Sequence, residues 1–118
     1  MFSESEVQYI RSQPLGRLAT VSSDGQPDVV PVGFEFDGRD FYIGSIMMRK
    51  TRKFWNVSRG NSKASFVIDD IKSLRPWKVR GLKVTGRVEI VEVDGDGGRD
   101  LNLRIKPEKH TSWGLNGK

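Results

Sequence analysis

Thr51-Arg52-Lys53 brings a hydroxyl and two cations into one tripeptide, with Arg49 and Lys50 just before it. That combination suits an anion. A guanidinium grips phosphate through two parallel N–H bonds, and an ammonium adds a compact charge. The threonine hydroxyl offers one more donor. The tripeptide follows an apolar run ending in Gly44-Ser45, and strand alternation stops there, so it is placed at a helix start with Arg52 and Lys53 exposed. The first backbone N–H groups of a helix lack internal partners, which favours phosphate at that point. The same residues also fit an ordinary solvated helix end.

A second candidate is Val30-Pro31-Val32-Gly33. Proline has no N–H and interrupts a ladder anywhere but at an edge. Glycine has no side chain, so a flat ring can approach the backbone at Gly33 closely. An ordinary edge proline fits too. Hydrolytic chemistry has little to work with. His110 is the single histidine and there is no cysteine, which argues against a catalytic triad and a thiolate metal site. Asp69-Asp70 reads as a pair balancing nearby cations or capping a turn where a strand gives way to a loop. Asp94-Gly95-Asp96-Gly97-Gly98 looks like a calcium loop only superficially, since the spaced ligands and closing glutamate are missing. Any demanding chemistry must therefore come from a cofactor.

The charge distribution supports an anionic guest. Residues 41–88 hold twelve Lys/Arg and two acids, whereas the remainder holds eight and thirteen. A concentrated positive field attracts phosphate, polycarboxylate or nucleic acid. No apolar run approaches the roughly 20 residues needed to span a bilayer. The acidic start, Met1 to Glu6, lacks the basic and apolar regions of a signal peptide. The expectation is a cytoplasmic protein with no membrane association and a single domain over residues 1–118.

The elements that must position these residues follow from the pattern. Ser3-x-x-Glu6 forms a capping box opening a helix that Pro14 stops. Leu15 to Ser22 reads as a strand with Leu18 and Val21 buried, and Pro27 to Phe36 as its partner across an Asp24-Gly25 turn. Phe41 to Ser45 returns after a second Asp-Gly turn, extending a meander. Arg49 to Arg59 reads as a basic helix closed near Gly60-Asn61. Ala64 to Asp70 and a long Trp77 to Val93 follow, the latter bent or closely approached at Gly81 or Gly86. Leu101 to Ile105 and Thr111 to Leu115 end the chain as short strands split by Pro107. Six or seven strands and two short helices indicate a mainly β fold, an antiparallel sheet closed into a barrel.

Leu15-Gly16-Arg17-Leu18-Ala19-Thr20-Val21, then Asp24-Gly25-x-Pro27, then Val30-Pro31-Val32-Gly33-Phe34 resembles the opening of the pyridoxamine 5′-phosphate oxidase-like flavin-binding split barrels. Thr51-Arg52-Lys53 with Asn56-Val57 resembles the phosphate-binding helix start of that family. Val67 to Asp70, Pro76 to Gly81, Gly86-Arg87, Arg104 to Pro107 and Ser112 to Gly114 resemble its deazaflavin (coenzyme F-420) branch. The resemblance covers nearly the whole chain.

It implies an antiparallel split β-barrel and a homodimer with two cofactor sites at the subunit interface. The reduced ring then gives a hydride to a small organic substrate, and no side chain need act as a catalyst. Thr51, Arg52 and Lys53 would hold the cofactor phosphate, Val30, Pro31, Val32 and Gly33 would lie along the ring, and Ser45 would face the chain joining them. Trp77, Arg80 and Trp113 would close the site, from the same subunit or its partner. Two departures stand out: the segment between residues 93 and 101 is short for this branch, and Trp55 occupies a position where a cation is expected. The +10 segment suits the longer polyanion F-420 better than FMN, the alternative. A basic barrel binding single-stranded nucleic acid through Trp55, Trp77 and Trp113 is disfavoured, because the aromatics do not cluster on one strand.

Overall fold

A computed structural model describes residues 1–95 and 98–115. The first hairpin pairs β1 (Leu15–Val21) with β2 (Pro27–Gly33), from Leu15 opposite Gly33 to Val21 opposite Pro27. Gly25 turns the corner at φ +91°, a conformation that glycine adopts without steric cost. Leu18 and Val21 do not share the core, because strand side chains alternate and three positions apart means opposite faces. Gly16, Leu18 and Thr20 face inward, and Val21 is only half-buried.

The expected strand Pro27 to Phe36 divides at Phe34. Its first part pairs with β1; its second, β3 (Glu35–Phe36), pairs with β4 (Phe41–Gly44). The expected meander therefore ends at this point. The seven strands form one sheet in the order β2-β1-β5-β6-β7-β4-β3, so β2 and β3 lie at its two ends. A single residue spans at most about 3.6 Å, and it links the two ends only because the sheet curls until they meet. Phe34 marks this seam, its ring packing edge-on against Phe66 at 5.3 Å and Phe41 at 5.8 Å. Alternation runs unbroken through the seam, which is why the sequence shows no boundary there.

The rest of the barrel comes from three long strands: β5 (Lys63–Leu74), β6 (Trp77–Gly95) and β7 (Gly98–Trp113). Residues 96 and 97 of the acid-glycine run fall outside the described residues. Pro107 does not split β7. The register slips between Thr85 and Gly86, leaving Glu108 as the extra residue of a bulge, and the strand continues. Gly86 makes this possible, because a Cβ there would stand 2.1 Å from the Lys106 carbonyl oxygen. β5 pairs with β1 only from Ala64 to Val67, and from Asp70 onward, past the end of β7, it runs on with β6 as a two-stranded arm.

Helix α1 (Glu4–Ser12) opens with the expected capping box and buries Tyr9 and Ile10 against the barrel. The basic segment differs from expectation. A single 3-10 turn (Met48–Lys50) ends at Thr51, and α2 (Arg52–Ser58) follows as a separate helix of seven residues. Fully buried Leu18, Phe41, Ile43, Phe66, Ile68 and Leu82 are among the residues filling the interior. Among the described residues, no helix is long and apolar enough to cross a membrane.

Candidate functional site

Helix α2 lies against β1, pinned by a buried bond in which Asn56 Nδ2 donates to Thr20 Oγ1 at 2.9 Å. Thr20 stands opposite Asp28 in the hairpin register, so the start of α2 faces the first rungs of β2. Arg52 is exposed. Lys53, expected at the surface, is buried to 7 % exposure. Burial pushes its ammonium below the ordinary lysine value, opposed by the negative charge of Asp28. Among the described residues its Nζ has no hydrogen bond and no ion pair within 4 Å. A cation in this setting gains from an anionic guest. Thr51 is differently committed. Its hydroxyl donates to the Met48 carbonyl at 2.7 Å and accepts from the Phe54 N–H at 3.3 Å, so it caps the helix. With only two turns in α2, attraction for an anion rests mainly on side chains.

Along β2, Val32 is buried and Val30 half-buried, while Pro31 and Gly33 face outward. Pro31 sits on an end strand of the ladder, where a missing N–H is tolerated. At about 3.3 Å per residue, Val30 to Gly33 lie roughly 7 to 17 Å along the strand from Asp28. A Cβ added to Gly33 would meet only the Pro14 carbonyl oxygen, at 3.9 Å, so this face is open to a flat ring.

Beside Gly33 lies a concavity of about 460 Å³ that also takes in Glu35, Tyr42, Gly44 and Asn102. A second, of about 340 Å³, is lined by Ser45, Met47, Arg49, Lys50 and Leu101. Asp100 lines both, so the two are neighbours, one beside Gly33 and the other beside Ser45 and the basic turn. The structure thus sets Gly33 in one depression and Ser45, Arg49 and Lys50 in its neighbour, with Arg52 and Lys53 lining neither. Tyr42, Asp100 and Asn102 went unnoticed in the sequence. Their signal is the pairing of β4 with β7, Gly44 opposite Asn102, which joins residues some sixty positions apart and leaves no local motif.

Trp77, Arg80 and Trp113 do not join them within one chain. Arg80 is opposite Asp70, six residues along β5 from Ala64, the partner of Thr20. That separation is about 20 Å. Arg80 grips Asp70 through two bonds of 2.8 and 3.0 Å and lies over the Tyr9 ring, whose hydroxyl donates to Asp70 at 2.8 Å. The Arg80 hydrogen bond is the main reason the Asp70 carboxyl titrates below its usual range. Asp69 pairs with Arg17 at 3.5 Å. The two carboxylates therefore each balance an arginine, within a strand that continues to Leu74 rather than ending in a loop. Trp113 lies over Gly81, where a Cβ would stand 2.4 Å from its ring. Trp77 is 64 % exposed at the tip of the arm, beside Leu74 at 67 %.

His110 contacts Glu6 at 3.2 Å, and Ser112 donates to the same carboxylate at 2.6 Å. Burial alone would raise Glu6. The bonds from Ser112 and the Ser3 backbone, with the His110 charge, outweigh it and hold the carboxyl below its ordinary range. The cluster fastens α1 to β7.

The family model described as pyridoxamine 5′-phosphate oxidase matches residues 2–115. A 5a,11a-dehydrotetracycline/5a,11a-dehydrooxytetracycline reductase of Streptomyces rimosus is 36 % identical over 129 residues, covering 98 % of this chain and 85 % of that protein. The matched length exceeds the 118 residues here by 11, so the relative carries extra chain within the matched region. Among solved structures, a conserved hypothetical protein of Mycobacterium tuberculosis superimposes with a TM-score of 0.76 at 23 % identity, over 97 % of this chain and 86 % of that one. An F420 reductase gives 0.69 at 19 % identity, over 94 % and 98 %. At such identities the likeness concerns the fold, a split barrel.

Proposed function

Because the chain belongs to the pyridoxamine 5′-phosphate oxidase family, we propose that it is an oxidoreductase subunit that reduces a small organic substrate with coenzyme F-420. The observation that carries this reading is Lys53, whose stem is buried while its ammonium reaches the surface without an ion-pair partner among the described residues, beside exposed Arg52 and a concavity open at Gly33. The reductase relative at 36 % identity supports the reaction class. The cofactor choice follows from charge. Twelve cations in residues 41–88 suit a phosphodiester with a carboxylate tail better than the single phosphate of FMN.

When bound, the reduced cofactor supplies the hydride. Arg52 and Lys53 hold its phosphate, Val30 to Gly33 present a flat backbone to its ring, and Ser45 borders the link between them. Glu35, Tyr42 and Asn102 border the open side of that concavity, where the substrate lies. Water supplies the proton, so no side chain is assigned to acid–base catalysis.

The working unit is a homodimer. Ile71 opposite Val79 and Leu74 opposite Trp77 make two exposed apolar pairs on the arm. Exposed apolar area of this kind marks an interaction site, and a second subunit brings Trp77, Arg80 and Trp113 towards a site that one chain leaves open. Sedimentation velocity separates this dimer from the 13.3 kDa monomer.

The relative's substrate gives the first assay. Reduced F-420 should be oxidised by the protein only when 5a,11a-dehydrotetracycline is present. If F-420 stays reduced while reduced FMN drives the reaction, the cofactor reading is wrong and the FMN alternative stands.

A further inference from the structure

The turn Met48–Lys50 and helix α2 meet at a kink, and Trp55 ties its two sides together. Thr51 leaves the helical conformation at φ −100° and ψ 148°. A continuing 3-10 turn would bring the N–H of Arg52 to the Arg49 carbonyl, and the kink withdraws it. The indole of Trp55 takes its place, with Nε1 donating to the Arg49 carbonyl at 2.7 Å. The Trp55 ring is 40 % exposed and carries the Arg59 guanidinium 5.2 Å above it, while the Arg49 guanidinium lies over Phe54 at 5.5 Å.

The cations of the basic segment are divided by this kink. Arg49 and Lys50 line a concavity on one side, and Arg52 and Lys53 follow on the other. Any change in the kink moves one pair relative to the other. Lys53 is fixed by burial and by the Asn56–Thr20 bond less than one turn further along the helix, so the adjustable part is the Met48–Lys50 turn.

We propose that Trp55 is a positioning residue for the anion-binding segment: its indole N–H fixes the Met48–Lys50 turn so that the cations on both sides of Thr51 face one bound anion. This rests on the reading of Arg52 and Lys53 as phosphate ligands. Trp55 acts through the backbone at Arg49 and contributes no charge itself, which gives a tryptophan a use beside a phosphate site.

Trp55→Phe keeps an aromatic ring for Arg59 and removes only the donor. Cofactor affinity, read by titrating ring fluorescence with F-420 and with FMN, should fall about three- to tenfold, the value of one neutral hydrogen bond. Turnover at saturating cofactor should stay within about twofold of wild type, so the effect appears in the cofactor KM and spares kcat. Arg59→Ala, which leaves the Trp55–Arg49 bond in place, should bind as wild type does. Unchanged affinity in Trp55→Phe, alongside a loss in a Lys53 variant, overturns the positioning role and leaves the site assignment standing. An equal loss in Trp55→Phe and Arg59→Ala overturns it as well, because the ring surface and not the N–H would then be responsible. If wild-type protein binds neither F-420 nor FMN, the cofactor reading and this inference fall together.

Discussion

Lys53→Met should bind its phosphate-bearing cofactor ten- to a hundredfold more weakly, while the cofactor-free protein becomes no less stable. Methionine keeps most of the aliphatic stem that Lys53 buries and removes only the charge. A hydrogen bond between charged groups contributes roughly 1.5–3 kcal/mol, which corresponds to that loss of affinity. Stability moves the other way because burial lowers the Lys53 pKa. The unfolded chain then holds that proton more tightly than the folded one, so the charge opposes folding at neutral pH. Wild-type stability should accordingly rise as pH climbs through the lowered value towards 10.5, the ordinary one. The variant should lack that rise. Fluorescence titration and thermal unfolding at neutral and alkaline pH check both halves. Unchanged affinity, or a marked fall in melting temperature, would show that Lys53 serves packing.

Gly86→Ala should destabilise the protein by about 2–3 kcal/mol, or roughly 10 °C in melting temperature for a domain of this size. The new Cβ would fall 2.1 Å from the Lys106 carbonyl oxygen and 3.1 Å from the Glu108 backbone nitrogen. Both are backbone atoms of the bulge that lets β7 pass Pro107, so no side-chain rotation relieves the contact. The long β6–β7 ladder must open locally or shift. A melting temperature within 2 °C of wild type would mean that the bulge is not held by close approach at Gly86.

Much of the architecture is legible locally. Ser3 and Glu6 announce α1, Asp24-Gly25 announces the first hairpin, and the alternation of Val30, Val32, Phe34 and Phe36 announces an inward face. Contacts between distant parts of the chain are not. The seam at Phe34 is invisible because the side-chain period continues while the hydrogen-bond partner changes from β1 to β4. Pro107 reads as a break because proline removes a ladder bond. The compensating bulge at Glu108 sits on the same strand, but what makes room for it is Gly86, about twenty residues earlier on β6.

The basic segment shows the same division. Its charge is plain from Arg49, Lys50, Arg52 and Lys53, but burial of Lys53 depends on how α2 settles against β1. Thr51 looks like a free donor in sequence. In the folded chain the same hydroxyl caps a helix, a use common to threonine and phosphate sites alike. Trp77, Arg80 and Trp113 gather no site with the start of α2 in one chain, because the rung of Arg80 lies about 20 Å along β5 from that of Thr20, against which α2 is pinned. The sequence resemblance carries no information on which subunit supplies them.

Sedimentation velocity followed at the absorbance of the cofactor ring joins assembly and cofactor identity in one measurement. F-420 at low micromolar concentration should travel with a protein boundary of about twice 13.3 kDa, one cofactor per chain, and FMN at the same concentration should lag behind. FMN travelling with the protein while F-420 stays behind, or a boundary at the monomer mass with cofactor bound, would contradict the account.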